Sequence, residues 1–176
     1  MVTQGLWEVG TYWHLDTRPD EWSKIENKEI KAKAAAMDAA LKNAKYQTLV
    51  HGDAKLANFL FASDGNSVAA VDFQYVGGGC GMKDVAYFLG SCMSSDEMEL
   101  YEKALLEHYF SELQSTLQSA IPENSPIDFE ELKAEWTALY SFAHADFLRF
   151  LLGWMPTHQK INGYNQRLMK TVLDQL

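Results

Sequence analysis

The sequence predicts a mainly α-helical domain with one small β hairpin, an α+β fold. Apolar residues recur at helical spacing over most of the chain, and this pattern gives way to extended residues only near the middle. The 176 residues, 47% of them hydrophobic, are enough to bury one core. No repeat, low-complexity stretch or linker interrupts them, so we expect a single domain over 1–176.

The first predicted helix follows an irregular or partly extended lead-in, residues 1–15. In the stretch DTRPDEW, Thr17 is expected as the N-cap, with Asp20 three residues later and Pro19 in the first turn. From there one helix is expected to continue to about Asn43. Its buried stripe is predicted from steps of three and four residues: Ile30, Ala34, Met37, Leu41 and Ala44.

The hairpin is predicted from residues 58–61 and 68–73, two apolar runs joined by the turn sequence SDGN. Asp-Gly between two apolar runs is a strong hairpin signal. Polar residues then fall at the base and the far end of the hairpin, and Asp53 and Asp72 are expected to converge.

Two helices are predicted after the hairpin. The first covers residues 83–91, and the second is capped by Ser94 or Ser95 and ends near Ser119. The residues expected to face inward on the second helix are Met98, Tyr101, Leu105, Tyr109 and Leu113.

The longest helix is predicted after a proline-containing loop over residues 122–126. Asp128 and Glu131 form a capping box, and Gly153 and Pro156 end the helix. A final helix is expected to start near Asn165. Three polar residues at the flanks or back of the long helix's apolar stripe are expected to be solvated or hydrogen-bonded rather than to line a cleft: His144, Asp146 and Arg149.

Composition excludes several classes of protein. The net charge of −9, with no basic patch, argues against nucleic-acid binding and favours a cationic small substrate. Cys80 and Cys92 form no metal or disulfide pattern, so a reduced, cytoplasmic protein is expected, with Cys80 incidental. No signal peptide opens the chain and no apolar run spans a bilayer, so no membrane association is expected.

The chemistry is concentrated in the pattern H-x-D-x-K-x-x-N over residues 51–58, followed by Asp72 after the returning strand. Asp53 can accept a proton from a hydroxyl, and Lys55 can neutralise a phosphoryl group. Asn58 and Asp72 offer the hard oxygen ligands that Mg²⁺ prefers. A base, a metal site and a cation are the parts that phosphoryl transfer needs.

These residues resemble a family of small-molecule kinases, the aminoglycoside phosphotransferase, choline kinase and ecdysteroid-kinase-like group, which shares the protein-kinase-like fold. The matching features occur in order: HGD at 51–53 with Asn58, VDF at 71–73, GGGCG at 77–81 and DVA at 84–86. The resemblance is strong over 46–91, the stretch expected to carry the catalytic and metal-binding loops. It implies that 94–176 form a helical subdomain on the substrate side.

The resemblance implies a role for each matching residue. Asp53 would be the catalytic base that orients and deprotonates the acceptor hydroxyl, and Asn58 with Asp72 would hold Mg²⁺ beside ATP. Lys55 stands where related protein kinases place a phosphate-contacting lysine, which makes it a catalytic and cofactor-binding candidate. The implied acceptor is a hydroxyl of a small molecule that the sequence does not identify.

Other residues are expected to support this site. His51 would brace the loop by hydrogen bonds, and Asp84 would accept its backbone N–H groups. Gln74 replaces the glycine of a protein kinase's D-F-G, which argues against a flipping switch and for the small-molecule branch. The glycines at 77–81 lack the Lys-Ser/Thr of a P-loop and are expected to form a flexible turn with positive φ.

The 50 residues before His51 contain no glycine-rich loop followed by a strand lysine. We therefore expect a C-terminal lobe without its N-terminal lobe, with half of an ATP pocket. Trp7, Tyr12 and Trp13 are candidates for an exposed patch that would bind a second copy or a separate N-lobe chain.

Two other functions are possible on the sequence. The lobe could be a non-catalytic binding or interaction module, because the N-lobe elements are missing. A metal-dependent phosphohydrolase using Asp53 and Asp72 is the third hypothesis, but the usual signatures of such enzymes do not occur.

Overall fold

The chain is mainly helical and carries two small antiparallel sheets, as the α+β prediction states. A computed structural model describes residues 5–120 and 127–176. The helices are α1 (Pro19–Ser23), α2 (Lys28–Lys42), α3 (Met82–Cys92), α4 (Ser95–Ala120), α5 (Phe129–Trp154) and α6 (Gly163–Gln175). The strands are β1 (Thr48–Val50), β2 (Phe59–Phe61), β3 (Val68–Ala70) and β4 (Gly77–Gly79).

The predicted hairpin is confirmed as β2 and β3, which pair with Phe59 opposite Ala70. Gly65 takes a φ of 72° in its turn, a conformation that glycine adopts without a steric penalty. One detail of the prediction is wrong: both polar stretches lie at the open end of the hairpin, where Val71 N–H donates to Asn58 O at 3.0 Å. The turn is at the opposite end, so Asn58 and Asp72 are neighbours across the strand ends.

The glycine run forms a strand, and the prediction of a flexible turn with positive φ is wrong. Gly77–Gly79 is β4, which pairs antiparallel with β1. Positive φ occurs at none of its glycines. Glycine is required here because neighbouring segments pack closely against the backbone. A Cβ on Gly77 would lie 2.4 Å from the carbonyl oxygen of Trp7, and one on Gly81 would lie 2.5 Å from the Trp136 ring. Any side chain larger than hydrogen would force these segments apart.

The lead-in runs beside β4 and then enters the core. Trp7 N–H donates to Val76 O, and Gly78 N–H donates back to Trp7 O. Trp7 is half exposed, Tyr12 is half buried, and Trp13 is only 1% exposed among the rings of Tyr87 and Phe147. The expectation that Trp13 belongs to an exposed patch is therefore wrong, because its large apolar ring fills the core instead.

The single helix predicted after Thr17 is two helices. The Thr17 hydroxyl donates to His14 O and does not cap α1, which has no side-chain cap. The chain turns after α1 because Asn27 begins α2, its side chain accepting the N–H groups of Glu29 and Ile30. The predicted α2 stripe is confirmed, since all of its members are buried: Ile30, Ala34, Met37, Leu41 and Ala44.

Helix α4 begins as predicted, and four of the five residues expected to face inward are buried or partly buried: Met98, Leu105, Tyr109 and Leu113. The Glu97 carboxylate accepts Ser94 N–H at 2.8 Å, and Ser94 Oγ accepts Glu97 N–H at 3.3 Å. Tyr101, expected inside, is 49% exposed. Steps of four from Met98 lead to the residues that are buried, Leu106 and Phe110. The proline-containing loop expected over 122–126 lies outside the described residues.

Helix α5 is the centre of the fold and packs against α1, α2, α3 and α6. Asp128 caps it by accepting Glu131 N–H at 3.1 Å. Every residue from 142 to 151 is buried, whatever face of the helix it occupies. Of the two roles predicted for His144, Asp146 and Arg149, the hydrogen-bonded one is confirmed and the solvated one is wrong, because all three are buried and hydrogen-bonded.

Within the described residues, no helix is both long enough and apolar enough to cross a membrane.

Candidate active site

The loop that follows β1 is fixed by the first turn of α3. The Asp84 carboxylate accepts His51 N–H at 2.6 Å and Gly52 N–H at 3.1 Å. Gly52 has a φ of 80°, and a Cβ there would lie 2.3 Å from Tyr75 O, so only glycine fits. Burial raises the pKa of Asp84, and the two N–H groups oppose this shift. Two charge-assisted hydrogen bonds thus set the direction in which the loop leaves the strand.

His51 ties this loop to the end of the hairpin. Its Nε2 lies 2.9 Å from Val71 O, and its Nδ1 accepts Asp53 N–H at 3.3 Å. Because Nδ1 accepts and a carbonyl can only accept, these contacts assign the proton to Nε2. The ring centroid is 4.9 Å from that of Phe73. His51 therefore holds residues on both sides of Asp72 in position against the loop.

Asp53 is almost completely buried, with 3% of its surface exposed, and its two oxygens differ. Oδ2 accepts Lys55 Nζ at 2.8 Å and Asn58 Nδ2 at 3.1 Å. Oδ1 is buried and has no hydrogen-bond partner within the described residues. The side chain of Lys55 is 39% exposed, so its ammonium group reaches the surface of the site.

Asn58 has a defined amide orientation. Its Nδ2 donates to the backbone oxygen of Asp53 at 2.8 Å as well as to Oδ2. A carbonyl oxygen can only accept, so the amide nitrogen must face it and Oδ1 must point away. The residue lies in a 3₁₀ turn, Leu56–Asn58, directly before β2. Asn58 Oδ1 is thus available as an oxygen ligand.

Asp72 is exposed and has a φ of 64°, in the left-handed region that few non-glycine residues adopt. In the described part of the chain its carboxylate forms no hydrogen bond or ion pair. Such strain is concentrated at functional sites. Asn58 Oδ1 and the Asp72 carboxylate together suit Mg²⁺, which takes one or two carboxylates and completes its shell with water and phosphate. No group of three or more His, Cys, Asp or Glu that could hold a metal occurs in residues 5–120 and 127–176.

Two tyrosines form the wall next to Asp53. The hydroxyls of Tyr12 and Tyr87 are 3.0 Å apart. Burial raises the pKa of Tyr12 to about 12. Burial also raises the pKa of Tyr87, with further contributions from Tyr12 and Asp53. Both phenols therefore remain neutral at physiological pH and can donate hydrogen bonds.

Sequence reasoning missed Lys160, which lies in the connection between α5 and α6. Its Nζ is 4.6 Å from the ring centroid of Tyr87 and 5.4 Å from that of Phe147. Burial lowers its pKa to about 8, while the charge of Asp53 acts in the opposite direction. Nothing in the local sequence signals this role, because only the packing of α5 and α6 brings Lys160 to the site.

The structure thus brings most of the predicted site residues together. Direct hydrogen bonds link Asp84 to the His51 and Gly52 backbone, and Asp53 to Lys55 and Asn58. Asp72 follows Val71, whose N–H and C=O are bonded to Asn58 and His51. Asp146 and Arg149 of α5, in contrast, bond to each other and to Trp13 and make no hydrogen bond with any of these residues.

A buried carboxylate braced by a lysine and an asparagine, beside an exposed aspartate after a hairpin, is typical of kinase-like phosphotransferases. The model of the ecdysteroid kinase-like family matches residues 10–120, which is more than half of the chain. This chain belongs to that family, whose members are small-molecule kinases of the protein-kinase-like type. No curated protein and no solved structure matches the chain.

Proposed function

We propose that this chain is the C-terminal lobe of a phosphotransferase that moves the γ-phosphoryl group of ATP to a hydroxyl of a small molecule. The observation that carries the proposal is Asp53 Oδ1, a buried carboxylate oxygen without a partner among the described residues. Leaving a buried polar group without a hydrogen bond costs about 1–3 kcal/mol, and the cost is larger when the group is charged. An acceptor hydroxyl that donates to Oδ1 would recover this free energy.

The surroundings of Asp53 suit a general base. Lys55 and Asn58 hold Oδ2, so the carboxylate cannot rotate freely, and Oδ1 is the oxygen left for the acceptor hydroxyl. Asp53 then orients the hydroxyl and takes its proton as the oxygen attacks phosphorus. A positioned base contributes typically about 10²–10⁴-fold to the rate.

Asn58 and Asp72 would hold Mg²⁺, which supplies charge neutralisation on the phosphates of bound ATP. Lys55 is the candidate for contact with the transferred phosphoryl group, because its partly exposed ammonium already lies at Asp53. His51 and Asp84 fix the loop and touch neither reactant, so they are positioning residues.

The test is ADP release from Mg·ATP with a set of hydroxyl compounds, comparing the wild type with Asp53→Asn. The control is Asp64→Asn, in the exposed hairpin turn, where the amide oxygen can still accept Asn66 N–H. We expect acceptor-dependent ADP release that falls at least about 10²-fold in Asp53→Asn and is unchanged in the control. Activity that survives Asp53→Asn would refute the assignment, and free phosphate released from simple esters would indicate a phosphohydrolase.

An exposed apolar surface favours a second candidate, a lobe that binds another protein. Leu49 in β1, Leu60 in β2 and Phe73 after β3 are each about 60% exposed. We propose that this surface is covered by an N-terminal lobe on a separate chain or by a second copy. Sedimentation of the wild type and of Leu60→Ser would test the second copy: a monomer in both would exclude it.

The two thiols are free, and a reducing compartment suits them. We therefore propose a cytoplasmic location, which fractionation of cells producing the chain would test.

A further inference from the structure

A polar cleft of about 360 Å³ opens between the α3–α4 turn and the connection from α5 to α6. Ser91, Ser94 and Asn162 line it, and Lys160 stands on one side. Lys160 also lies near enough to Asp53 and Lys55 to interact with them electrostatically. The cleft adjoins the catalytic loop, because Ser91 Oγ accepts Leu56 N–H at 2.7 Å, although the residues that line it come from elements far from that loop in the sequence.

The backbone of Lys160 is held by a buried hydrogen-bond chain. His144 Nδ1 donates to Asn165 Oδ1 at 2.8 Å, and Asn165 Nδ2 donates to Lys160 O at 2.9 Å. On the other side, Lys160 N–H donates to His158 Nδ1 at 3.1 Å. The position of this lysine is thus built into the core and is not that of a solvated surface side chain.

The ammonium group of Lys160 has no anionic partner of its own. In the part of the chain that the structure describes, its Nζ makes no hydrogen bond and no ion pair with a carboxylate. It lies over the faces of Tyr87 and Phe147, which compensate part of the lost hydration. A half-buried ammonium without a counterion is under-compensated and would be stabilised by an incoming anion.

We propose that this cleft is the acceptor site, and that Lys160 selects an acceptor carrying an anionic group, such as a carboxylate, sulfate or phosphate, together with its hydroxyl. The proposal rests on the proposed function, because it places the acceptor beside Asp53. The net charge of −9 attracts cations from a distance, but such fields are screened within about 10 Å. Among the residues that line the cleft, Lys160 is the one with a charged side chain. Its ammonium group already occupies the faces of the Tyr87 and Phe147 rings, which a ligand ammonium would need.

Protonation of Lys160 gives the proposal a pH signature. The groups that act on it are Asp53 and Cys92, which raise its pKa, and Lys55, which lowers it with burial. Burial and Lys160 together lower the pKa of His158, so that ring is neutral at neutral pH. Because Lys160 has a pKa of about 8, anion binding should weaken as the pH rises through that value.

The experiment compares matched polyols by calorimetry: gluconate against glucitol and glycerate against glycerol, with choline as the cationic probe. The variant is Lys160→Met, which keeps the length of the side chain and removes its charge. Lys42→Met, at an exposed position, is the control. We expect each anionic compound to bind at least about tenfold more tightly than its neutral counterpart, a difference of about 1.4 kcal/mol. This preference should disappear in Lys160→Met, persist in Lys42→Met and diminish at pH 9.

Three results would overturn the proposal. The first is that no anionic probe binds at millimolar concentration, and the second is that glucitol or choline binds as tightly as gluconate. The third is that Lys160→Met weakens Mg·ATP binding and leaves gluconate binding unchanged, which would assign the lysine to the nucleotide phosphates. Acceptor-dependent ADP release that requires Asp53 but shows no preference for anions would leave the proposed function standing and refute this inference alone.

Discussion

Asp146 and Arg149 form a buried ion pair within α5. Because the pair is fully buried, the interaction free energy between its two side chains can be predicted. Neither side chain is exposed, Arg149 Nε donates to Asp146 Oδ1 at 2.9 Å, and Arg149 Nη2 lies 2.8 Å from the same oxygen. Trp13 joins the pair: its indole N–H donates to Asp146 Oδ2 at 3.0 Å, and its carbonyl accepts from Arg149 at 3.1 Å. The pair therefore anchors the lead-in to α5.

Removing one partner leaves the other as an uncompensated buried charge. We expect Asp146→Asn and Arg149→Met each to lower the free energy of unfolding by about 3–5 kcal/mol. Asp38 moderates the first value: burial and then Asp146 raise its pKa, so loss of Asp146 lowers that pKa and favours the charged carboxylate near the guanidinium. In the double variant no charge of the pair remains, and the amide oxygen that replaces the carboxylate still accepts from Trp13, so the cost falls to about 1–3 kcal/mol.

The sum of the single effects is about 6–10 kcal/mol, so the coupling should be at least about 3 kcal/mol. Urea unfolding followed by tryptophan fluorescence and by far-UV circular dichroism measures it. The matched control is the exposed pair Lys133 and Glu107, 2.8 Å apart, whose coupling should be below about 1 kcal/mol. Additive effects of Asp146→Asn and Arg149→Met would refute the reasoning.

Three further predictions concern stability. Gly81→Ala should cost about 1–3 kcal/mol in urea unfolding, because its Cβ would lie 2.5 Å from Trp136, whereas Gly163→Ala meets nothing and should cost nothing measurable. Asn27→Ala should lower the free energy of unfolding by about 1 kcal/mol through loss of the α2 cap, and an unchanged urea midpoint would contradict this. Burial lowers the pKa of His144 to about 4, so below pH 6.5 the unfolded chain binds a proton that the folded chain does not, and stability should fall towards pH 4 by up to about 1.4 kcal/mol per unit. Urea midpoints of the wild type and of His144→Phe between pH 7 and 4.5 check this, and identical slopes would contradict it.

Much of the candidate site could be predicted because its residues are close in sequence and its turns are made by local chemistry. The Asp-Gly turn specifies the hairpin, and the hairpin brings Asp72 back to Asn58. The α2 stripe was predictable for a similar reason, since one face of that helix is buried and the other is exposed.

The remaining features depend on partners that no local pattern identifies. A glycine in a sequence can indicate either a positive φ or close packing against its backbone. At residues 77–81 the reason is close packing, and only the positions of Trp7 and Trp136 in the fold show this. Helix α5 is buried on all sides over residues 142–151, so its apolar periodicity gives no sign that Asp146 is buried. Lys160 reaches Tyr87 only through tertiary packing.

The most direct test of the account is a calorimetric titration of Mg·ATP into the wild type, Asp72→Asn and the control Asp64→Asn. If Asn58 and Asp72 hold the metal, the wild type and the control should bind Mg·ATP, and Asp72→Asn should lose at least about tenfold in affinity, or about 1.4 kcal/mol. Absence of binding in the wild type, or equal binding by Asp72→Asn, would contradict the assignment of a magnesium–nucleotide site at the end of the hairpin.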